Sequence, residues 1–587
     1  MFQRISHDQF IAKNDSWQTL LDLDVLSAKE KSAFSISFFS ICEDRALLHL
    51  SDGGTDSCEI REFSLKELSF VGRGFHFPSS KGRAVFLEKD RIFISTHFDS
   101  QSFTKSGGPR KLKVLKRGQD LAHAELVFET DESEMGVYFQ RERLGTNNYL
   151  VQHVKTWDLK VNYLYRDGRV QKLDLPETVD VLGIFENQVI CQFEEAYEGI
   201  KPGSLVAISL EDALAGKVIF KMIHESQGTS QVSFRRTQVA DRSIWIQVLE
   251  NYVPCVKKVS WSDNKWKVET VETGSELTTT IELVMPDADE AFVRTEGFLS
   301  PPQLMFVKSP TNIMSLLNSS QEDFSNDHQV SRKTCLSKDG TEVHYFFIGR
   351  KSATGAPAPT LIYAYGGFGV PQFPSYRGVM AKLWLKRGGQ FVLANIRGGG
   401  EKGPEWHEAA KRVNRYKSYE DFIAIAEDLI KNKNTTPKQL AIMGGSNGGL
   451  LVGAVTNIRP DLFSAVLCLN ALLDLKRYHL LFSGRNWIDE YGNPDDEKDW
   501  DHLEKISPFH NVDPSKLYPT VFFETAITDD RVHPAHARRM AALYKKHNLP
   551  YWFYENIEGG HSGDGALHSN AYLSALRYAF LYERCFT

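Results

Sequence analysis

The spacing of hydrophobic and polar residues changes near residue 325. Upstream, short apolar or alternating runs such as "RALLHL", "RIFIST" and "SIWIQV" are separated by turn sequences such as "SDGG" and "SDNK". Runs of this length, rich in β-branched and aromatic residues and bounded by turns, are typical of strands. After a short lead, residues 1–16, the pattern therefore predicts an all-β domain over residues 17–324.

The even punctuation of these strands favours a β-propeller. A propeller blade takes about 40 to 50 residues, so a domain of this length would hold about six or seven blades. Because the strands carry no crisp blade signature, a pair of β-sandwiches is the alternative.

Downstream of residue 325, apolar strand-like runs alternate with longer helical patterns, as in "TLIYAYGG", "YEDFIAIAEDLIKN", "QLAIMGG" and "HARRMAALYKKHN". Such alternation implies a mostly parallel, doubly wound sheet with helices on both faces. Residues 325–587 are therefore predicted to form a separate α/β domain.

Composition and charge narrow the class of protein to which the chain can belong. The chain has 587 residues, 42% hydrophobic and 25% charged, with a net charge of −6, which is typical of a soluble globular protein and gives no reason to expect nucleic acid. The basic run "PRKLKVLKR" reads as a strand with a solvated face. Seven scattered cysteines without C-x-x-C spacing indicate reduced thiols. No apolar signal-like or membrane-spanning segment is evident, so we expect a cytoplasmic monomer that binds neither nucleic acid nor a membrane.

One segment carries candidate chemistry. In "AIMGGSNGGLLVGA" an apolar run is followed by Ser446 among four glycines and then by a second apolar run. Gly444 to Gly448 fit G-x-S-x-G, the strained turn between strand and helix that exposes a nucleophilic serine. The amide of Asn447 would then lie at a helix N-terminus, where it can bind a developing oxyanion. A glycine-rich connector is the alternative for the pentapeptide alone.

In an α/β-hydrolase an acid and a histidine follow the nucleophile, each on a loop after a later strand. "TVFFETAITDDRV" ends an apolar run at Asp529 and Asp530, and "YWFYENIEGGHSG" ends another at His561. Either loop alone is an ordinary turn, but the order predicts a triad in an α/β-hydrolase domain. The residues alone leave the choice between Asp529 and Asp530 open.

Other motifs do not lead to a metal or cofactor. His533 and His536 form H-x-x-H without a further ligand nearby, and "IRGGGEKG" lacks the G-K-[ST] ending of a phosphate loop. We therefore expect neither metal nor cofactor.

Several blocks in order resemble the prolyl oligopeptidase family of serine peptidases: "YAYGGFG", "ANIRGGGE", "GGSNGGLL", "NWIDEYG", "DDRV" and "GGH". The β-domain resembles the family's propeller more loosely. The resemblance implies Asp529 as the triad acid and Tyr365 as partner of Asn447 in the oxyanion hole. It also implies a proline pocket and a carbonyl-binding arginine; these residues are Phe368, Trp487, Tyr491 and Val532 for the pocket and Arg531 for the carbonyl.

The start of the chain departs from the family pattern. Relatives carry a helical lead that belongs to the hydrolase domain, whereas β-type sequence here begins within about 35 residues of Met1. We therefore expect a single crossing between domains, near residues 319–333, and easier opening.

Together these features predict a serine oligopeptidase that cleaves short peptides after proline through an acyl-enzyme. The alternatives are the same hydrolase with another specificity, namely for basic residues, acylated N-termini or esters, and a non-catalytic propeller scaffold. The intact triad argues against the scaffold.

Overall fold

The computed structural model describes residues 1–227, 231–273, 277–308, 313–318, 321–351, 355–557, 559–561 and 567–586. The chain opens with a small antiparallel sheet and two helices. These elements are β1 (Phe2–Arg4), α1 (His7–Ile11), β2 (Gln18–Leu21) and α2 (Leu23–Glu30).

Within the described residues, six antiparallel sheets follow one another, each built from consecutive strands, as the blades of a β-propeller. The propeller prediction is confirmed, with the lower of the two expected blade numbers. The blades are β3 to β7 (Phe34–Cys42, Arg45–Asp52, Cys58–Ser64, Ser69–Phe70, His76–Ser80), β8 to β11 (Arg83–Glu88, Arg91–Ser95, Lys111–Lys116, Glu125–Glu129), β12 to β15 (Gly136–Arg141, Tyr149–Val154, Lys160–Arg166, Arg169–Lys172), β16 to β19 (Val179–Phe185, Gln188–Phe193, Leu205–Ser209, Lys221–His224) with α3 (Leu210–Ala215) after β18, β20 to β23 (Gln231–Val239, Ile244–Glu250, Val253–Ser262, Lys265–Thr270) and β24 to β27 (Thr278–Val284, Ala291–Glu296, Gln303–Lys308, Ile313–Asn318).

Apolar residues on the blade faces hold neighbouring blades together. The ring of Phe93 in the second blade contacts Tyr149 and Phe139 in the third, with centroids 5.1 and 5.5 Å apart. In the basic strand β10, Leu112 and Val114 are buried between solvent-accessible lysines. The alternation in this run therefore serves blade packing, as the sequence pattern predicts.

The residues before β3 pack on the propeller. Leu20 and Leu26 join the core of the first blade around Leu48. Phe10 of α1 contacts Phe292 of the sixth blade, with ring centroids 5.5 Å apart. The lead thus connects the first blade with the last.

An eight-stranded sheet occupies the second half of the described chain, in the order β28-β29-β31-β30-β32-β33-β34-β35. The strands at the β28 edge pair antiparallel and the remaining pairs are parallel, as predicted for a doubly wound hydrolase sheet. Its strands are β28 (His328–Leu336), β29 (Glu342–Arg350), β30 (Thr360–Tyr363), β31 (Gln390–Asn395), β32 (Leu440–Gly445), β33 (Ala465–Leu469), β34 (Thr520–Ala526) and β35 (Tyr551–Asn556).

Helices cover both faces of this sheet. They are α4 (Gly378–Leu383), α5 (Pro404–Glu408), α6 (Tyr416–Lys431), α7 (Asn447–Ile458), α8 (Ile488–Tyr491), α9 (Glu497–Ile506), α10 (Ala535–Lys546) and α11 (Leu567–Cys585). Helix α6 buries Phe422, Ile425 and Leu429, the spacing of one helical face, in the core on one side. Met380 of α4 and Phe580 of α11 contribute to the core on the other side.

The domains meet through apolar contacts as well as through the site described below. Phe298 of the propeller domain packs on Phe346 of β29, with ring centroids 5.4 Å apart. The predicted boundary at residue 325 falls between β27 and β28. Of the predicted crossing 319–333, residues 319–320 lie outside the described residues and 328–333 belong to β28. No helix in the described part of the chain is long and apolar enough to span a membrane.

Candidate active site

The glycine-rich segment forms the predicted elbow between β32 and α7. Ser446 has φ 56° and ψ −119°, a backbone conformation that is strained for a residue with a side chain. The turn is too tight for larger neighbours, since a Cβ on Gly444 would lie 2.0 Å from the carbonyl oxygen of Gly448. The amide of Ser446 donates to the carbonyl of Leu469 at the end of β33 (2.9 Å). Ser446 is therefore held at the carboxyl edge of the sheet.

The loops after β34 and β35 bring an acid and a histidine together. His561 Nδ1 lies 2.7 Å from Asp529 Oδ2, and both side chains are buried. Asp529 Oδ1 accepts the backbone N–H groups of Arg531 (3.0 Å) and Val532 (2.8 Å). Asn470, which follows β33, donates from Nδ2 to the His561 carbonyl at 3.4 Å. The geometry thus favours Asp529, the choice that the sequence resemblance implied.

The adjacent Asp530 points to the propeller instead. Its carboxylate accepts the backbone N–H of Asp56 (3.1 Å) and the hydroxyl of Ser57 (3.3 Å). Lys81 donates to its carbonyl at 2.8 Å. Asp530 therefore joins two domains rather than orienting the histidine.

The two residues expected to stabilise an oxyanion are linked to one another. Asn447 Nδ2 donates to the Tyr365 carbonyl at 2.6 Å, and the Tyr491 hydroxyl donates to Asn447 Oδ1 at 2.8 Å. The Tyr365 hydroxyl is within hydrogen-bonding reach of Ser446. Burial raises the pKa of Tyr365 to about 12, so the phenol keeps its proton at neutral pH. It remains a hydrogen-bond donor beside Ser446.

A cavity of about 620 Å³ opens beside Ser446. Its walls include every residue of the predicted binding pocket, together with the oxyanion pair and several propeller residues. Phe368 lies edge-on to Tyr491, with centroids 5.6 Å apart, and Trp487 stacks parallel to the buried Tyr478 at 6.5 Å. The pocket therefore offers flat aromatic faces on a rigid support. The predicted pocket residues that line it are Phe368, Trp487, Tyr491, Arg531 and Val532.

A buried ion network fixes the loop that carries Phe368. Glu490 Oε1 accepts the Phe368 N–H at 2.9 Å and also pairs with Arg415, while Glu490 Oε2 lies 2.6 Å from His407 Nε2. Burial acts to raise the pKa of Glu490, but the Arg415 charge and the His407 hydrogen bond outweigh it and lower the pKa to about 2. The carboxylate stays ionised and holds the Phe368 backbone.

The turn between β4 and β5 of the first blade contacts the loops that carry Asp529 and His561; we call residues 53–57 the docking hairpin. The carbonyl of Gly53 accepts the N–H of Gly560 at 2.6 Å, next to His561. The Asp56 carboxylate binds the Arg531 guanidinium through Nη2 (2.6 Å) and Nε (3.0 Å). Arg531, expected to bind a substrate carbonyl, therefore also forms an interdomain ion pair.

Comparisons with known proteins agree with this architecture. A model of the prolyl oligopeptidase family matches residues 374–586. Over 606 residues the chain is 34% identical to the uncharacterized peptidase y4nA of Sinorhizobium fredii, covering 100% of this chain and 83% of that protein. The uncharacterized peptidase RP174 of Rickettsia prowazekii is 30% identical over 99% of this chain and 84% of its own length. The chain belongs to the prolyl oligopeptidase family. It is accordingly a serine peptidase.

Solved structures of the prolyl oligopeptidase family share the whole fold. A post-proline cleaving enzyme from Rickettsia typhi superposes with a TM-score of 0.94 at 28% identity, over 99% of this chain and 88% of that one. A second solved structure, described as one of two prolyl endopeptidases, superposes with a TM-score of 0.88 at 24% identity, over 97% of this chain and 84% of that one. The predicted combination of a propeller and a hydrolase domain is thus confirmed.

Sequence reasoning missed the propeller side of the site in this family member. Trp157 stands edge-on to Phe368, with centroids 5.6 Å apart, and its backbone N–H binds Asp489 at 3.0 Å. Neither Trp157 nor Asp56 lies in a segment whose pattern differs from other turns. Glu490 lies within the block "NWIDEYG", so the block itself was a signal for the ion network.

Proposed function

We propose that the protein is a serine oligopeptidase that cleaves short peptides after proline through an acyl-enzyme intermediate. One observation carries the proposal: the 2.7 Å contact between His561 and Asp529 lies at the same edge of the sheet as the strained Ser446, beside an aromatic pocket. A hydrolytic nucleophile needs a base, an orienting acid and a place for the substrate side chain. A cytoplasmic monomer, expected from the sequence, belongs to the same proposal.

In the proposed reaction the Ser446 hydroxyl attacks the scissile carbonyl while His561 Nε2 takes its proton. Asp529 accepts a hydrogen bond from the Nδ1–H of His561, which leaves Nε2 unprotonated as the base, and its negative charge stabilises the imidazolium. The oxyanion accepts hydrogen bonds from the backbone amide of Asn447 and from the Tyr365 hydroxyl. His561 then protonates the leaving amine. In the second half of the reaction His561 takes a proton from a water molecule, which attacks the acyl-enzyme, and returns the proton to Ser446 as the acyl group leaves. No metal or cofactor takes part in this scheme.

The aromatic pocket supports proline as the residue before the scissile bond. A flat apolar ring gains contact area from aromatic faces, and a prolyl nitrogen brings no N–H that would need a partner inside the pocket. Trp487 is half-buried and its ring is fixed by Tyr478, so the stacking surface exists before substrate binds. Preorganised contact lowers the entropy cost of binding.

Relatives support the same specificity. The similar structure from Rickettsia typhi is described as a post-proline cleaving enzyme. The prolyl endopeptidase of Dictyostelium discoideum is 37% identical over 294 residues, which cover 48% of this chain and 39% of that protein. The alternative specificities, for basic residues, acylated N-termini or esters, remain as outcomes of the test.

The nucleophile is tested by labelling with a fluorophosphonate followed by peptide mapping. We expect the label on Ser446 and none in Ser446→Ala. Ser483, a second serine in the wall of the same cavity, provides the matched control, because Ser483→Ala should label like the parent protein. Label that persists in Ser446→Ala would overturn the assignment.

Specificity is tested with a panel of short fluorogenic substrates that differ in the residue before the scissile bond. Prolyl peptides should have the highest kcat/KM, ahead of alanyl, arginyl and acylated substrates and simple esters. Equal cleavage of arginyl and prolyl peptides would refute the proline preference while leaving the serine mechanism in place.

A further inference from the structure

A second cavity, of about 430 Å³, lies behind the aromatic pocket, between the propeller and the hydrolase domain. The ring pair Trp157 and Phe368 belongs to the walls of both cavities and separates them. We call this second space the acidic cavity, because five carboxylates line it: Asp158, Asp180, Glu194, Glu195 and Glu408.

Positive charge in and beside the walls does not balance these carboxylates. Lys160 lies 2.5 Å from Asp180. Lys411, from the hydrolase domain, binds both Asp158 (2.6 Å) and Glu408 (2.9 Å). The lining residue His407 is bound to Glu490 outside the cavity. Among the described groups, five lining carboxylates thus face two ammonium groups.

The deepest acid has an oxygen that lacks a hydrogen-bond donor when its neighbour Glu194 is ionised. Asp180 is 5% exposed and its Oδ1 binds Lys160, while with Glu194 ionised no donor among the described residues reaches its Oδ2. A buried carboxylate oxygen left without a donor costs free energy. A cation that enters the cavity would supply the missing donor.

Glu194 stands beside this acid. Its carboxyl is within hydrogen-bonding distance of the Asp180 carboxyl, and both groups line the cavity. Burial first, and then the Asp180 charge, raise the pKa of Glu194 to about 7, against the opposing effect of Lys160 and His407. Two adjacent carboxyls in a poorly solvated site resist ionising together, and a bound cation favours the state in which both are ionised.

We propose that the acidic cavity is a second substrate subsite, which binds a cationic group of the peptide while another residue occupies the aromatic pocket. The group is an ammonium or a guanidinium, and its source is either the peptide amino terminus or a lysine or arginine side chain. This subsite rests on the proposed peptidase function. The shared wall of Trp157 and Phe368 lets one extended peptide reach both cavities.

The test compares peptides in matched pairs. Each carries one proline and, two to five residues away on either side, lysine in one member and norleucine in the other. A second set has a free or an acetylated amino terminus, which separates the two sources of positive charge. For at least one arrangement we expect kcat/KM to favour the cationic member about ten-fold, the scale of a charged hydrogen bond.

The preference should depend on Glu194. In Glu194→Gln the ratio of cationic to neutral peptide should fall to near one, and in the parent protein it should rise between pH 6 and pH 8 as Glu194 ionises. The matched control is Glu211→Gln, an exposed glutamate in the same blade, which should keep the parent ratio. A parent protein with equal rates for all pairs, or a Glu194→Gln variant that keeps the preference, would overturn the subsite.

Two further measurements separate failure of the subsite from other failures. If Glu194→Gln misfolds and no longer cleaves even the neutral peptide, Glu195→Gln tests the same wall of the cavity. An unchanged ratio of kcat/KM for the cationic and neutral peptides in Glu195→Gln would overturn the proposal. Calorimetric binding of each peptide pair to Ser446→Ala needs no turnover. A protein that cleaves no prolyl peptide would refute the proposed function, whereas equal binding of lysine and norleucine peptides would refute the subsite.

Discussion

Replacing Asp529 with asparagine should separate the geometry of the pair formed by Asp529 and His561, here called the dyad, from its charge. The asparagine oxygen can still accept the N–H groups of Arg531 and Val532, which lie 3.0 and 2.8 Å from Asp529 Oδ1. Its amide nitrogen would then face His561 Nδ1, where the carboxylate oxygen now lies at 2.7 Å. Because an amide donates at that position, Nδ1 must accept, and the imidazole proton moves to Nε2. The histidine then has no lone pair for the serine proton.

The size of the effect follows from what is lost. The wrong tautomer and the missing stabilisation of the imidazolium reduce turnover by about three to four orders of magnitude in triads of this type. This corresponds to about 4 to 5.5 kcal/mol of transition-state stabilisation. Since the loop contacts are retained, KM and folding should change little.

The adjacent Asp530 provides the control in the same loop. Asp530→Asn can keep the hydrogen bond from the Asp56 N–H, while the Ser57 hydroxyl has to turn from donor to acceptor. It also weakens a contact with Lys81 whose charged atoms are 3.7 Å apart. Both side chains are partly exposed, so the loss should be within about five-fold. The assay is kcat and kcat/KM on a prolyl peptide for the three proteins. An Asp529→Asn enzyme with a tenth of the parent turnover, or an Asp530→Asn enzyme that loses more, would refute the reasoning.

Two other variants probe the pocket and the domain contact. Trp487→Ala should cost about 2 to 4 kcal/mol of transition-state binding for prolyl substrates, through lost stacking, and much less for alanyl substrates; kcat/KM for both classes checks this, and equal losses would contradict a proline pocket. Asp56→Ala should lower kcat/KM about two- to five-fold at low salt, because the partly exposed pair with Arg531 is worth about 1 kcal/mol at most. The difference in kcat/KM between Asp56→Ala and the parent protein should become smaller in 1 M salt, because salt screens the ion pair. A difference that grows with salt would contradict an electrostatic contact.

The parts of the site that could be predicted are those with a local signature. Ser446 is marked by the glycines that its strained turn requires, and His561 by its place after an apolar strand. The choice between Asp529 and Asp530 had no local basis, because both follow the same strand. It depends on which carboxylate can cap the next two amides and still reach the histidine.

The parts that could not be predicted are contacts between distant segments. The docking hairpin reads as an ordinary turn between strands, and its role depends on where the first blade meets the hydrolase domain. The same holds for Asp158 and Lys411, which pair across the domains at 2.6 Å. The fold could be predicted from the spacing of hydrophobic residues, because that pattern repeats many times along the chain. Each contact between the domains occurs once and leaves no such pattern.

The docking hairpin makes the propeller part of the proposed catalytic machinery. Gly53 and Asp56 hold the histidine loop and the aspartate loop at once, so separation of the domains and misalignment of the dyad are coupled events. Coupling of this kind is reciprocal. Restraining His561 should therefore also restrain the propeller, and exchanging the propeller alone would remove the contacts of Gly53 and Asp56 unless the new turn supplied them. Engineering of either domain therefore has to preserve the contacts that Gly53 and Asp56 make with the other domain.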